Sequence, residues 1–440
     1  MIARIILTKG EEKRIRMGHP WVYDNEVKRI AAGYGDNAVD AELSQGGIAD
    51  VETYDKKYLG RAFVNPASKI IARIYSPSKE GVDTGFFKRR IRAALARRSA
   101  FDLGRQSCRA VFAEADFLPG LIIDRYVGWD AENINGVNAG PGRPLTFETM
   151  LERYGQPSIW FCMQILSFGM DIRREQIVTA LNEAAGEYSG LVEKKSVKAR
   201  ALEGLDCGDD TVTGRVPAAG ILIFENDFPF IVSLLEGQKT GHFLDQKHNH
   251  KILYSMIREK FVKTGRVPRM LDAFCYSGGF AIHAARAGAG QVIAADTSEA
   301  ALRALAKNAL INAVDTVKPL RTDVFDYLEK LERAKECFDI IVLDPPAFAK
   351  SHTALDNAIR GYREINIKAI KLLSPGGLLV SCSCSQALDE QRFRRMIASS
   401  AADADRRLYE LDFRYQSPDH PILSGYDESL YLKCGFYQAV

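Results

Sequence analysis

Met270-Leu271-Asp272-Ala273-Phe274-Cys275-Tyr276-Ser277-Gly278-Gly279-Phe280, an alanine-rich helical run, and then Gln291-Val292-Ile293-Ala294-Ala295-Asp296 form the stretch that decides the fold. It reads as a buried strand, a glycine turn, a helix and a second strand ending in a carboxylate. A glycine turn lets a ligand approach the backbone closely, at a helix N-terminus where amide groups point outward. Asp296, roughly 20 residues further on, is placed to accept the two hydroxyls of a ribose. An adenosine-type cofactor is therefore expected.

Strand and helix go on alternating on the carboxyl side. Ala300 to Asn312 reads as a helix and Val317 to Thr322 as a strand. Phe338-Asp339-Ile340-Ile341-Val342-Leu343-Asp344 is a buried strand ending in a carboxylate, and Leu378-Leu379-Val380-Ser381-Cys382 follows a Pro375-Gly376-Gly377 turn. Continuous apolar strands between helices argue for a parallel sheet covered on both faces. A dinucleotide enzyme would show G-x-G-x-x-G after the first strand, and only Ser277-Gly278-Gly279 appears, which counts against NAD and FAD. The run from Leu271 to Phe280 instead resembles the first motif of class I S-adenosylmethionine-dependent methyltransferases. That resemblance makes Asp296 the ribose-binding acid and puts Asp323, ahead of Val324 and Phe325, against the adenine.

Two further motifs narrow the chemistry. Asp344-Pro345-Pro346-Ala347-Phe348 fixes the backbone after a strand and removes donors from the turn. In nucleic-acid methyltransferases such a motif presents the target base, the carboxylate or an adjacent carbonyl bonding a base edge. Otherwise it is a proline turn capping a strand. Ser381-Cys382-Ser383-Cys384-Ser385 puts two thiols after a strand at the sheet's carboxyl edge. C5 of cytosine is a poor nucleophile until a thiolate adds to C6, so methylation there requires an activated cysteine. Buried small residues in a turn are the plain alternative. No metal site is expected from these cysteines, because one Cys-x-Cys falls short of four ligands.

At 440 residues the chain is long enough for two or three domains, and its formal charge of +3 decides nothing. Eight irregularly spaced cysteines without a secretory leader suggest reduced thiols, and no apolar run reaches a membrane span. A cytoplasmic enzyme acting on RNA fits. Residues 1–75 look all-β, with strands at Ala3–Leu7, Asp50–Tyr54 and Lys69–Tyr75, and with turns at Gly33, Gly35, Gly46, Gly47 and Gly60. Within them, Lys9 to Tyr23 sets cations such as Lys13 and Arg14 beside Trp21 and Tyr23, a pairing suited to phosphate contact and base stacking. A solvated helix followed by a core tryptophan is the alternative.

Residues 76–215 open on a Ser-Pro-Ser linker. A helix is expected from Phe86 to Arg109, with Arg89, Arg90 and six further cations set against only Asp102. So dense a cationic face favours a phosphate backbone, unless acids elsewhere in the fold meet it. Gly128 to Pro157 reads as a loop insertion without an assignable role. Asp171 to Ala185 reads as an amphipathic helix, and Ile221–Glu225 with Phe228–Ser233 as a hairpin bridging into a last domain that spans 216–440.

With Gln238-Lys239-Thr240-Gly241-His242-Phe243-Leu244-Asp245-Gln246, these motifs in this order resemble the ribosomal RNA large-subunit methyltransferase I family, whose members make 5-methylcytidine in 23S ribosomal RNA. The resemblance implies a small all-β PUA domain that holds RNA, a central α+β domain and an α/β Rossmann-like class I methyltransferase domain. It implies S-adenosylmethionine as cofactor and ribosomal RNA as partner, and it allows a homodimer. Thr240, Gly241, Phe243, Asp245 and Gln246 would line the cofactor pocket with Asp272, Phe274, Ser277, Gly278, Asp296, Asp323, Val324 and Asp344. Pro345, Pro346 and Phe348 would receive the base, and Asp344 would act with a cysteine. The family carries Phe where His242 stands. Matched to the Val-Ser-Cys-Asn motif of uracil-type enzymes the nucleophile is Cys382, which is slightly preferred, while matched to the Ser-Thr-Cys-Ser motif of other cytosine enzymes it is Cys384. The rival readings are an N-methyltransferase of guanine or adenine with the same fold, a non-catalytic RNA-binding assembly factor, and a small-molecule methyltransferase.

Overall fold

Continuous apolar runs between the helices of the chain's carboxyl side build a sheet buried on both faces. In the computed structural model, which describes residues 2–33, 39–134, 144–237, 240–348 and 355–440, its strand order is Val317–Arg321, Gln291–Asp296, Arg269–Ala273, Phe338–Leu343, Leu373–Ser383, Lys433–Ala439, Leu408–Arg414. The first five strands are parallel, and Lys433–Ala439 runs against both of its neighbours. Met270, Val292, Ile340 and Val380 pack on one face, while Leu271, Ala295, Ile341 and Leu379 pack on the other. Each such side chain contributes about 1.5–3 kcal/mol by leaving water. The strand order reverses between Arg269–Ala273 and Phe338–Leu343, so their carboxyl ends open the crevice in which α/β sheets bind ligands.

Two further sheets precede this one. The first runs Trp21–Tyr23, Ile70–Ser76, Tyr58–Val64, Ile48–Glu52, Ala3–Leu7, Val27–Ala32, Val39–Asp40, so residues 3–76 form the expected all-β module. The second is built on Leu121–Asp130 and Ser158–Ile165, which pair antiparallel. The hairpin Ile221–Glu225/Phe228–Val232 joins that middle sheet through Leu121–Asp130, although the expected boundary at 216 put it in the last domain. It turns on Asn226 and Asp227 with φ of 50° and 69°, a left-handed pair that these short polar side chains tolerate.

The basic helix is shorter than its composition suggests. It spans Thr84–Arg97, and Arg109 lies in the strand Cys108–Phe112. The insertion is not one loop: Leu121–Asp130 extends into it, and Phe147–Tyr154 is a helix capped by Thr146. Met150 and Leu145 pack there with Trp129, Phe224 and Ile311, so this segment buttresses the hairpin against the last domain. Residues 135–143 of the insertion, Gly35, Gln238 and Lys239 lie outside the described residues. Among the described residues no helix is long and apolar enough to cross a membrane.

Candidate cofactor and substrate site

The glycine turn takes the shape its residues permit. Phe274, Tyr276 and Gly278 have φ of 65°, 47° and 91°, and the helix Gly279–Ala287 starts directly afterwards. A Cβ on Gly278 would stand 2.1 Å from Leu305 Cδ1, so this position requires glycine both for its backbone and for its packing. Asp296, ending the neighbouring strand, holds the turn: its Oδ2 accepts from Tyr276 N at 2.9 Å and its Oδ1 from Ser298 N at 2.8 Å.

Beside this turn is a cavity of about 610 Å³, a size suited to a nucleoside cofactor. It is lined by Phe243, Asp245 and Gln246, by Asp272, Phe274 and Ser277 of the strand and turn, and by Asp296, Asp323 and Val324. Asp344, Pro345, Pro346, Phe348 and Cys384 line it as well. Five aspartates thus face the cavity, and among the described residues no lysine or arginine lines it. Burial, followed by the charges of Asp344 and Asp296, drives the Asp272 carboxyl well above its ordinary range. Its buried Oδ2 has no hydrogen-bond partner. S-adenosylmethionine, with its sulfonium and ammonium groups, answers both the surplus negative charge and the unpaired oxygen.

Several expected site residues lie elsewhere. The Thr240 hydroxyl donates to Asp124 and its carbonyl accepts from Tyr126 Oη at 3.1 Å, so Thr240 faces the middle domain. Gly241, at φ of 118°, packs on Ser233 and Leu234, and its carbonyl accepts from Tyr276 Oη. Both position the loop and neither lines the cavity. Asp323 reaches the cavity while capping the helix Val324–Arg333, accepting from Phe325 N at 2.8 Å. Cys382, slightly preferred from sequence, is fully buried inside the strand Leu373–Ser383, with its Sγ 3.3 Å from Cys434 Sγ. Burial and then Cys434 push its thiol well above the ordinary cysteine range. Cys384, one residue beyond the strand, is half-buried and faces the cavity.

The expected RNA contacts divide in the same way. Trp21 donates from Nε1 to Glu114 at 2.8 Å, lies under Arg73, and meets Tyr426 edge-on with centroids 5.1 Å apart. It joins the β-module to the middle and last domains instead of offering a face for stacking. Arg14 pairs with Glu26 at 2.6 Å and covers Tyr23. Arg90 pairs with Glu80 at 2.7 Å and donates to the Tyr75 carbonyl, while Arg97 and Arg98 both pair with Asp116. Acids brought in by the fold therefore neutralise much of the basic helix. Lys13 and Arg89 stay exposed.

Among the contributors that sequence reasoning left out are Tyr431, Lys433 and His250. Tyr431 lines the cavity and donates to Asp245. Lys433 is buried, with Nζ donating to the carbonyls of Ser385 at 2.7 Å and Tyr431 at 2.8 Å, which clamps the turn carrying Cys384. Burial brings its ammonium down to about 8. His250 also reaches the cavity wall, from a helix with no motif to mark it. Tyr431 and Lys433 come from the chain's last strand and the loop before it, and no local pattern marks them.

The parallel sheet with one reversed strand, the glycine turn and the acidic cavity define an S-adenosylmethionine-dependent methyltransferase. Residues 171–421 match the family of that description, and residues 5–77 match the PUA-like domain. A Streptococcus mutans protein solved as a candidate S-adenosylmethionine-dependent methyltransferase superposes over the whole of both chains with a TM-score of 0.77 at 19% identity. A second structure, solved with S-adenosylhomocysteine, superposes equally well. The ribosomal RNA large subunit methyltransferase I of Enterobacter sp. (strain 638) is 33% identical, with 98% of each chain covered. That of Vibrio parahaemolyticus is 34% identical over the same shares. The chain belongs to the ribosomal RNA large subunit methyltransferase I family.

Proposed function

We propose that this protein methylates C5 of a cytidine in 23S ribosomal RNA, with Cys384 as the nucleophile. The observation that carries the reading is Cys384 on the wall of the cavity that also holds the glycine turn and Asp344-Pro345-Pro346. Cys384 adds as thiolate to C6, and the C5–C6 double bond shifts its electrons to C5. The bound cofactor supplies an electrophilic methyl to that carbon. Loss of the C5 proton then restores the double bond and expels the thiolate. Asp344, which accepts from Gln246 Nε2 at 3.0 Å, holds a base edge together with the rigid Pro345-Pro346 turn. The names of the relatives and the PUA-like module support ribosomal RNA as the substrate.

Nucleoside mass analysis of 23S ribosomal RNA from cells lacking the protein tests the reading. One 5-methylcytidine should disappear and return on complementation; loss of a methylated purine instead would sink C5 chemistry. RNA is met by the exposed cations of the first two domains. Lys13→Ala and Arg89→Ala should each flatten the slope of log affinity against log salt by up to about 0.9, the share of one phosphate contact. Binding measured across a salt series checks this, and an unchanged slope in both variants would remove these two residues from the RNA face.

A further inference from the structure

Against the cofactor cavity, with His242 and His250 reaching its wall, lies a buried group to which the proposed methyl transfer assigns no step. Glu225 ends the strand Ile221–Glu225, and His250 and His283 come from the helices Lys247–Lys260 and Gly279–Ala287. His242 comes from the loop between the hairpin and the first of these helices. Glu225 Oε1 is 2.6 Å from His250 Nδ1 and 3.8 Å from His283 Nε2, while Oε2 is 2.8 Å from His242 Nε2. One ligand atom each from Glu225, His250 and His283 falls within 4.8 Å of the others; His242 stands outside that trio, on the second carboxylate oxygen, and all four side chains are buried.

Two features distinguish this group from an ordinary buried ion pair. The first is charge: among the described residues Glu225 lies within ion-pair distance of three imidazoles and of no lysine or arginine. A carboxylate removed from water needs compensating positive charge close by, and a metal ion held between it and these rings would supply it. The second is the tautomer of His283. Its Nδ1 is 2.7 Å from the Gly279 carbonyl, which can only accept, so Nδ1 carries the hydrogen. Nε2 of the neutral ring therefore turns a lone pair toward Glu225 and the Asn226 amide, 3.0 Å away. A backbone carbonyl behind the ring is the usual outer support of a metal-binding histidine. The arrangement also gives the second glycine of the turn its own reason, since a Cβ on Gly279 would stand 2.3 Å from His250 Cε1.

We propose that Glu225, His242, His250 and His283 bind a divalent transition-metal ion, with zinc the best match. Glu225, His250 and His283 supply three ligand atoms already gathered, and His242, turning from the second carboxylate oxygen, would supply the fourth that zinc takes in structural sites. The ion would neutralise Glu225 and displace the hydrogens now shared with His242 and His250. It would tie the hairpin, two helices and the loop leading to Phe243 and Gln246 into one rigid wall of the cavity. His242, where the family has Phe, completes the set.

The full chain, stripped with a chelator and reloaded with zinc or cobalt(II) alone, tests this by metal content, melting temperature and the visible spectrum of cobalt. The expected result is one ion per chain, a higher melting temperature, and the intense absorption of tetrahedral cobalt. His242→Phe keeps an apolar ring in place and should still fold, with metal affinity lowered by at least about tenfold; Glu225→Gln should lose binding altogether. A folded, reloaded wild type without metal overturns the proposal. Binding by His242→Phe and Glu225→Gln as tight as the wild type's overturns it too.

Discussion

Cys384→Ala should abolish methyl transfer, lowering turnover by at least about a thousandfold, while Cys382→Ala should retain most of it. The two residues stand two positions apart and differ in surroundings. Cys382 is inside the strand, in contact with Cys434 and surrounded by the core. Its replacement removes a small buried side chain and should lower stability by about 1 kcal/mol. Cys384 faces the cavity, and in the proposed reaction it is the group that adds to C6. An RNA carrying 5-fluorocytidine gives the sharper readout, because the fluorine cannot leave as a proton does and the covalent adduct persists. Wild type and Cys382→Ala should both be trapped on a denaturing gel, and Cys384→Ala should not. Trapping by Cys384→Ala and its absence in Cys382→Ala would reverse the assignment; trapping by none of the three would refute covalent catalysis.

Asp116→Ala is expected to lower stability by about 3–5 kcal/mol, the cost of leaving a buried charge without its partner. Asp116 and Arg98 are both essentially inaccessible, joined by bonds of 2.6 and 2.7 Å. Asp116 also accepts from Arg97 and from Phe112 N, and Arg98 donates to the Asp419 carbonyl at 2.9 Å. The pair therefore holds the basic helix, the middle sheet and the last domain together. Burial opposes its ionisation, but Arg98 and Arg97 hold the Asp116 carboxyl below the usual range. Asp419, beside Lys247, is likewise held far down against burial. A depressed folded-state pKa gives stability that is complete above the unfolded value, about 3.9, and is lost as pH falls through the folded one. Denaturant midpoints should thus differ between wild type and variant by a constant amount from neutral pH to about 5, and the gap should narrow below about 4. A gap that widens on acidification would contradict this account of the pair.

Expectation and structure part company where partners are far away in the chain. Seven of the eight cations read between Lys88 and Arg109 meet acids supplied by the fold, Glu80, Asp116, Asp124 and Glu183, with Glu148 and Asp227 meeting Arg105, while Arg92 donates to the Glu183 carbonyl. Trp21 reads as a stacking platform because Glu114 and Tyr426, which occupy it, are distant. Thr240 and Gly241 flank residues that do line the cavity, and only the fold shows that they turn toward Asp124 and Ser233.

The amino-acid sequence by itself determined the strand–turn–helix–strand around Gly278, the carboxylates at successive strand ends and the all-β start of the chain. Apolar periodicity and glycine's backbone freedom act over neighbouring residues, so they can be read locally. Only the tertiary structure buried Cys382, put Cys384 on the cavity wall and gathered Glu225 with three histidines. Residues two apart in a strand share a face, so the difference between the thiols turned on where the strand Leu373–Ser383 ends. The charge balance of a buried group depends in the same way on side chains that meet only once the chain has folded.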